Sequence, residues 1–361
     1  LIERGQVAAA PEEPETSRTI EVFAGIAAAR SQYGEKAIGP YIISMAQGAD
    51  DALAVLWLAR CAGLTDAGGT VPVDVAPLFE TVGDLDHAGE TLERLLTDPL
   101  YRRHVEARGN RQTVMLGYSD SSKESGLAAS RWALYRAELA LSDAAERAGV
   151  ELTLFHGRGG TPSRGGSKPR AGILAQPPGV MNGRLRVTEQ GEIIHAKYGL
   201  RGIALRTLEL VTGAVLESAA APSGAGALPP EWLTAIDEVD SRARSTYRNL
   251  VWEDPDFVPY FRGATPIDVI ERLEIGSRPA SRRSGGGVEN LRAIPWVFAW
   301  TQNRHLLPGW YGVGSGLEAA VAACGEGTLS RMAAEWPFFS TLLADVEMVL
   351  AKADMGIAER Y

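Results

Sequence analysis

The segment at residues 154–166, Leu-Phe-His-Gly-Arg-Gly-Gly-Thr-Pro-Ser-Arg-Gly-Gly, places one histidine and two arginines among five glycines. It follows a mostly apolar run, residues 150–155, that predicts a buried strand. Glycine lets the backbone approach a ligand closely, and arginine offers a planar, charged fork that matches phosphate or carboxylate. A strand that ends in His156 and Arg158, with Arg164 a few residues further on, therefore predicts an anion-binding catalytic loop.

Three other interpretations of this segment are a Gly-rich surface loop with incidental charges, an RGG-type nucleic-acid tail and a nucleotide P-loop. Surface loops often carry glycines and charges, so the segment alone does not exclude the first. RGG tails are disordered and occur in basic chains, whereas this segment is flanked by apolar sequence in a chain of net charge −9. A P-loop requires Lys-Ser or Lys-Thr after the glycines, and neither pair follows them.

Two carboxylates follow other predicted strands and could hold a divalent metal. Glu80 ends the apolar run at residues 71–79, and Asp120 follows the run at residues 113–116. If these strands share one edge of a sheet, the carboxylates converge, and such oxygen ligands suit Mg²⁺ or Mn²⁺. The alternative is that Asp120 is a turn residue and Glu80 a solvated charge. Lys123 is either an anion ligand or a solvated residue at the start of a helix.

Further arginines lie on polar loops beside Gly and Pro, where a functional role is favoured over a helix-surface charge. They are Arg278 in Gly-Ser-Arg-Pro, Arg282 and Arg283 before three glycines, and Arg292 before a predicted strand at residues 294–300. Converging arginines, a carboxylate-bound metal and one histidine describe a site for a small, highly anionic substrate such as a phosphorylated carboxylic acid. The remaining histidines are interpreted as structural: His87, His104, His195 and His305.

The elements that would position these residues alternate between short apolar runs and helical patterns. Strands are predicted at 41–45, 71–79, 113–116, 152–155, 185–187 and 294–300, and helices at 50–61, 83–106, 127–148, 317–324 and 336–353. This alternation predicts an α/β fold with a parallel sheet. Polar residues at the carboxyl ends of successive strands favour a (β/α)8-type barrel with many additional helices. A doubly wound sheet is the alternative, although no G-x-G-x-x-G fingerprint follows a strand.

The composition is that of an ordinary globular protein, with 361 residues, 45% of them hydrophobic and 22% charged, and a pI near 5.3. The acidic balance disfavours nonspecific binding to nucleic acid or an anionic membrane. Two cysteines lie outside any metal spacing, and no apolar run approaches the roughly 18 residues of a membrane helix. We therefore expect a cytoplasmic location, a polar N-terminal segment at 1–38, and a catalytic barrel portion with a helical C-terminal region at 39–361.

Nine segments of the chain resemble phosphoenolpyruvate carboxylases and follow one another in the same order. They are GYSDSSKESG, LTLFHGRGGTPSRGG, LAQPPG, LRVTEQGEII, FRGATP, IGSRP, GGGVENLRAIPWVFAWTQNR, WPFFSTLL and AKAD. The match runs from about residue 40 to the end, and its motifs are long and many. The resemblance implies a (β/α)8 barrel embedded in a large helical shell and assembled as a homotetramer.

The resemblance also implies roles for individual residues around the reacting groups. Glu80 and Asp120 match the metal-binding carboxylates of the family. His156 matches the histidine at the phosphoenolpyruvate site, and Lys123 matches a lysine near bicarbonate. The implied cofactor is accordingly Mg²⁺ or Mn²⁺, and the implied substrates are phosphoenolpyruvate and bicarbonate.

Five further positions are implied to bind anions. Arg158, Arg278 and Arg292 match arginines that hold the phosphate or the carboxyphosphate formed from it. Arg164 matches the arginine of a mobile Gly-rich loop that is needed for carboxylation. Arg164 is also implied, together with Lys352, to bind acidic feedback inhibitors such as aspartate or malate.

The implied reaction gives oxaloacetate and phosphate through carboxyphosphate and a metal-bound enolate. Arginines and the metal neutralise the transferring phosphoryl group, and a closing loop keeps water from the enolate. Because the family's chains are much longer, this chain is expected to be their C-terminal catalytic portion, truncated at both ends, with about six of the barrel strands. The alternative hypothesis is a non-carboxylating member or fragment that binds phosphoenolpyruvate or only hydrolyses it.

Overall fold

A computed structural model of the chain describes residues 13–189, 191–220, 228–273 and 287–361. The described part is a mostly helical α/β structure with one five-stranded parallel sheet, which confirms the predicted fold class at that level. The strands are β1 (Tyr41–Ile43), β2 (Val75–Phe79), β3 (Arg111–Gly117), β4 (Glu151–Arg158) and β5 (Arg186–Glu189).

Helices separate and follow these strands. From the N-terminus to β5 they are α1 (Pro14–Tyr33), α2 (Ala49–Cys61), α3 (Val82–Asp86), α4 (Ala88–Thr97), α5 (Pro99–Ala107), α6 (Ser119–Ser125), α7 (Leu127–Arg147) and α8 (Pro169–Leu174). After β5 come α9 (Gly191–Tyr198), α10 (Arg201–Ala220), α11 (Pro230–Arg248), α12 (Phe257–Ala264), α13 (Ile267–Ile270), α14 (Ala293–Gln302), α15 (Val313–Cys324), α16 (Glu326–Glu335), α17 (Pro337–Leu350) and α18 (Met355–Ala358).

The sheet follows the order of the chain, β1-β2-β3-β4-β5. Strands β1 and β2 are parallel with Tyr41 opposite Val75, and β2 and β3 are parallel with Leu78 opposite Met115. All five residues of β2 are buried, as expected for a parallel strand that is covered on both faces. Five of the predicted strands are therefore present, each close to its predicted position.

The sixth predicted strand, at residues 294–300, is wrong. These residues belong to the helix α14, whose Trp296 and Trp300 are completely buried. A short apolar run is compatible with either a buried strand or a buried helix, so its periodicity could not decide. Pro295 lies in the first turn of α14, where a missing backbone N–H costs no hydrogen bond. The described residues thus hold five strands rather than about six.

The single helical stretch predicted at 83–106 is divided into α3, α4 and α5. The break before α5 has a clear local cause, because Asp98 accepts hydrogen bonds from the backbone N–H groups of Leu100 and Tyr101, at 2.8 and 3.0 Å. An aspartate in this position caps a new helix, and Pro99 occupies the first position of that helix.

The chain divides into two compact units. The first comprises Leu1–Leu116 and Leu139–Phe155, and the second comprises Gly117–Glu138 and His156–Tyr361. In the first unit, Gly89 lies so close to Ala140 that an added Cβ would be 2.7 Å from the Ala140 Cβ, so α4 and α7 pack tightly there. Within the described ranges, no helix has the length and apolar character needed to cross a membrane.

Two aromatic clusters form the core of the second unit. One surrounds Trp132 and Trp336, whose rings meet edge to face with centroids 5.9 Å apart. The other surrounds Trp296 and Trp300 of α14 and includes Phe261, whose centroid lies 5.2 Å from that of Trp296. Large aromatic side chains bury much apolar area each, so the second cluster fixes α14 and the residues that precede it.

Trp296→Ala should lower the free energy of unfolding by about 3–5 kcal/mol, because it leaves a cavity in a core that cannot fully collapse. Val269→Ala is the matched control, since Val269 lies on α13 but is 52% exposed; we expect its effect to stay within about 0.5 kcal/mol. Urea denaturation followed by circular dichroism measures both. Equal effects would show that α14 does not form the core described here.

Candidate functional site

The carboxyl end of β4 carries the histidine and the first arginine singled out from the sequence. Residues 156 and 158 are two apart, so their side chains lie on the same face of the strand. His156 is 1% exposed. Its Nδ1 is 2.9 Å from the Tyr118 hydroxyl, and its Nε2 is 3.3 Å from the Gln176 side-chain nitrogen. The two ring nitrogens are therefore held from opposite sides, which fixes the orientation of the imidazole.

Arg158 is held by neutral oxygens. Its Nη2 donates to the Gly172 carbonyl at 3.2 Å and to the Tyr118 hydroxyl at 3.4 Å. Its guanidinium lies 5.4 Å from the centre of the Tyr118 ring, a distance typical of a cation–π contact. Its buried Nε has no hydrogen-bond partner within the described part of the chain. Arg158 thus keeps both a donor and a full positive charge for a ligand.

A small, partly open cavity lies beside Arg158. Its polar wall includes Tyr118, Arg131, Glu138, Arg158, Gln176 and Asp345, and its apolar wall includes Leu134, Phe338 and Leu342. A mostly apolar pocket with a few convergent polar groups is the usual form of a small-molecule site. All of these residues belong to the second compact unit.

An ion pair between Arg131 and Asp345 forms one wall of the cavity. Arg131 donates through Nη2 to Asp345 at 3.1 Å, and Ser167 donates to the same carboxylate oxygen at 2.5 Å. Burial raises the pKa of Asp345, and the charge of Arg131 and the hydrogen bond from Ser167 oppose that rise. Asp345 therefore serves as the counter-ion of Arg131, so the cavity retains the charge of Arg158.

Glu138 is a second carboxyl group in the wall, and it is 3% exposed. Its Oε1 lies 3.8 Å from His156 Nδ1. Burial raises the pKa of Glu138 to about 8, and the charges of Arg158 and Arg131 offset only part of that rise. Burial and the Arg158 charge hold the pKa of His156 well below its usual value. Near pH 7 both groups are neutral, so their proximity is not an ion pair.

The Gly-rich segment after β4 is folded tightly onto the same site. The Gly159 N–H donates to the Arg164 carbonyl at 2.5 Å, and Arg131 donates to the carbonyls of Pro162 and Gly166 at 3.2 and 3.4 Å. Gly165 has φ of +82°, and a Cβ there would lie 2.6 Å from the Tyr118 ring. Only glycine fits this position, because both the dihedral angle and the contact exclude a side chain.

Arg164, predicted as the second arginine of this loop, is buried to 2% exposure. Its Nε donates to the Ser119 hydroxyl at 3.3 Å. Lys123 is also buried, and its ammonium donates to the Leu291 carbonyl at 2.6 Å and lies 5.7 Å from the Trp252 ring centre. The structure therefore brings Lys123 next to the chain segment that carries Arg292.

Arg292 immediately precedes the helix α14, and not a strand as the sequence predicted. Arg278 lies outside the described residues, as do Arg282 and Arg283. Lys352 lies on the surface just after α17, and its carbonyl accepts a hydrogen bond from Arg304 Nε at 2.7 Å.

The predicted metal-binding carboxylates each follow a strand, as expected from the sequence. Glu80 directly follows β2, and its Oε2 accepts a hydrogen bond from the Met45 N–H at 2.8 Å. Asp120 lies in the first turn of α6, after β3. Within the described ranges, no group of three or more His, Cys, Asp or Glu side chains could hold a metal ion. Carboxylate oxygens are ligands that suit Mg²⁺, which usually retains waters as further ligands.

The sequence analysis missed Tyr118, Arg131, Glu138 and Asp345. Arg131 and Glu138 are seven residues apart on α7, so they lie on one face of the helix. That face is otherwise apolar and includes Leu134 and Leu141, both buried. A glutamate among buried leucines on one helix face is a signal that the sequence does contain. Asp345 carries no such signal, because it is 207 positions from Glu138 in the sequence and only the fold brings it to the cavity.

Comparison with known proteins gives a consistent result. A sequence model of the family described as phosphoenolpyruvate carboxylase matches residues 6–361. A protein of that name from Xanthomonas oryzae pv. oryzae is 56% identical over 96% of this chain and 38% of its own length. Those from Serratia proteamaculans and Mycobacterium leprae are 49% and 48% identical over 90% and 95% of this chain, and 36% and 38% of their own lengths. This chain thus spans well under half the length of these relatives.

We expect the free energy of unfolding to fall as the pH rises from 6.5 to 8. Glu138 keeps its proton in the folded state up to a pKa of about 8 but loses it near 4.5 when unfolded, so unfolding releases a proton in this range. His156 acts in the opposite direction but only below its reference value of 6.5. The slope reaches about 1.4 kcal/mol per pH unit at most.

Urea denaturation at several pH values measures this slope. Glu138→Gln should remove it, while Glu146→Gln, on the exposed face of the same helix, should retain it. A slope that is identical in all three proteins would contradict a neutral, buried Glu138.

A second prediction concerns the fit of the Gly-rich segment. Gly165→Ala should destabilise the protein by more than the roughly 1 kcal/mol expected from the left-handed backbone alone, because the new methyl group would collide with Tyr118. Gly179→Ala is the matched control, because Gly179 has φ of +83° and open space around it. Thermal denaturation measures both variants, and equal losses would show that the loop does not pack on Tyr118.

Proposed function

The chain belongs to the phosphoenolpyruvate carboxylase family, and from that premise we propose that it carries the catalytic site for joining phosphoenolpyruvate and bicarbonate into oxaloacetate and phosphate. The observation that best supports this proposal is the pairing of His156 with an available Arg158 at the end of β4, beside a cavity. A cationic, partly desolvated donor is what a phosphorylated carboxylate requires.

Arg158 is proposed to bind the phosphate of phosphoenolpyruvate, together with Arg278 and Arg292. The three guanidinium groups would neutralise the charge that spreads over the phosphoryl oxygens during transfer. The unused Nε donor of Arg158 supports this role, because a phosphate oxygen would complete its hydrogen bonding.

Glu80 and Asp120 are proposed to hold Mg²⁺ or Mn²⁺. The bound ion would act as a Lewis acid toward oxygens of the substrate. Glu80 is already oriented by the Met45 N–H. Such a hydrogen bond from a neighbouring group helps to orient a carboxylate ligand.

The proposed chemistry proceeds in balanced steps. A bicarbonate oxygen attacks phosphorus, the bond to the enol oxygen breaks, and carboxyphosphate and the enolate of pyruvate result. Carboxyphosphate then loses CO₂ and leaves phosphate, and C3 of the enolate forms the new bond to CO₂. His156 is proposed to line the phosphoenolpyruvate site as a neutral imidazole, and Lys123 to lie near bicarbonate.

Water must be excluded while the enolate exists, since protonation would give pyruvate instead of oxaloacetate. The Gly-rich segment that carries Arg164 is proposed to supply this cover. Its folded form buries Arg164, and Arg131 holds two of its carbonyls. Loop closure of this type commonly gates catalysis.

Several family properties extend the proposal beyond the described site. The strands are proposed to form part of a (β/α)8 barrel, and the complete protein to be a cytoplasmic homotetramer. Lys352 and Arg164 are proposed to bind acidic feedback inhibitors such as aspartate or malate. The exposure of Lys352 is consistent with a ligand that arrives from solvent.

The test is to measure oxaloacetate and phosphate release separately, with phosphoenolpyruvate, bicarbonate and Mg²⁺. We expect equal release of both products, with Asp120→Asn and Arg158→Gln each lowering kcat/KM by at least about 100-fold because each loses transition-state stabilisation. Arg170→Gln is the matched control, since Arg170 is an exposed arginine paired with Glu217. Phosphate without oxaloacetate would contradict carboxylation by this chain and indicate hydrolysis, and neither product would contradict both.

A further inference from the structure

Three buried polar atoms in the wall of the cavity lack hydrogen-bond partners within the described part of the chain. They are Glu138 Oε2, Arg158 Nε and Gln176 Oε1, and the first two belong to ionisable side chains. The residues that carry them line the same cavity, and the charge of Arg158 is the largest electrostatic influence on Glu138. A carboxyl group and a guanidinium that face one cavity without a direct hydrogen bond are an unusual arrangement, because burial normally forces such groups to pair.

The other two charged side chains of the cavity wall, Arg131 and Asp345, pair with each other. Glu138 and Arg158 are the ionisable pair that remains. Asp345 accepts hydrogen bonds from both Arg131 and Ser167. Among the described residues, Arg158 donates hydrogen bonds to the Gly172 carbonyl and the Tyr118 hydroxyl. The protonation state of Glu138 therefore decides whether the wall carries one net positive charge or none.

We propose that Glu138 is a positioning residue that sets the anion affinity of Arg158: as a neutral acid beside His156 it leaves the Arg158 charge to an external oxyanion, and as a carboxylate it becomes the internal counter-ion that competes with that oxyanion. The proposal rests on the proposed function, in which the external oxyanion is the phosphate of the substrate. Glu138 acts through Arg158 and does not itself touch the reacting atoms.

Several groups face Glu138, but their charges are not expected to change under mildly alkaline conditions. They are Arg131 and Tyr135 on α7, His156 and Arg158 on β4, Tyr118, and Asp345 on α17. Burial raises the pKa of Tyr118 and of Tyr135 above the usual value of 10, and His156 is already neutral because burial lowers its pKa. A loss of anion affinity near the Glu138 pKa of about 8 would thus report on Glu138.

Sulfate is the appropriate probe, because it carries the same double charge throughout this pH range. We expect the affinity of the wild-type chain for sulfate to fall by about fivefold between pH 7 and pH 9, because a one-unit coupling between two charges reaches its limit of about tenfold only above both pKa values. Glu138→Gln mimics the neutral acid, so it should bind sulfate at pH 7 as the wild type does and lose no affinity at pH 9. Glu138→Met should also remove the pH dependence, and Glu146→Gln, on the exposed face of α7, should retain it.

Infrared spectroscopy gives a second readout that needs no substrate and no activity. The carbonyl band of a protonated carboxylic acid should titrate near pH 8, be absent in Glu138→Gln, and move up by about one pH unit in saturating sulfate, because the two binding equilibria are reciprocal. If carboxylation is measured, the alkaline effect should appear in KM for phosphoenolpyruvate rather than in kcat.

The outcomes separate this inference from the proposed function. A missing acid band, sulfate affinity that falls equally in wild type and Glu138→Gln, or no sulfate binding at any pH would each overturn the role of Glu138. A titrating band and a Glu138-dependent sulfate affinity in a chain that forms neither oxaloacetate nor phosphate would support Glu138 while contradicting the proposed reaction.

Discussion

Stabilising buried positive charge is the constraint on which the second unit depends. Arg131, Lys123 and Arg164 are each half-buried or fully buried, and a buried cation is costly unless oxygen atoms surround it. The chain supplies these oxygens largely from its backbone: Pro162 and Gly166 for Arg131, and Leu291 for Lys123. The conformation of the Gly-rich segment is therefore determined by the cations that it covers, as well as by its own glycines.

This constraint explains why the charged groups at the cavity have different roles. Arg131 donates hydrogen bonds to Asp345 and to carbonyls of the loop, so its role is structural. In the described part of the chain, Arg158 donates to two neutral oxygens, so its charge remains for a ligand. Glu138 has neither role, because burial raises its pKa to about 8. The proposed binding of a multiply charged substrate depends on this separation of structural and available cations.

The sequence predicted the features that depend on local pattern. The five strands follow from short apolar runs, and the placement of His156 and Arg158 on one face follows from the two-residue repeat of a strand. The strand predicted at 294–300 was wrong because a seven-residue apolar run fits a helix buried among aromatic rings equally well. Asp345 could not be predicted as a partner of Arg131, because the 214 positions between them carry no local signal.

The backbone partners of Lys123 and Arg131 also bear on how this protein can change over generations. A carbonyl oxygen is present in every amino acid, so a replacement at 162 or 291 does not by itself remove the oxygen that stabilises the cation. An inserted or deleted residue would move those carbonyls away from their cations. Within the loop, the tight packing of Gly165 and Gly166 restricts side chains as well, so a change of loop length and a bulky replacement there would both displace these oxygens.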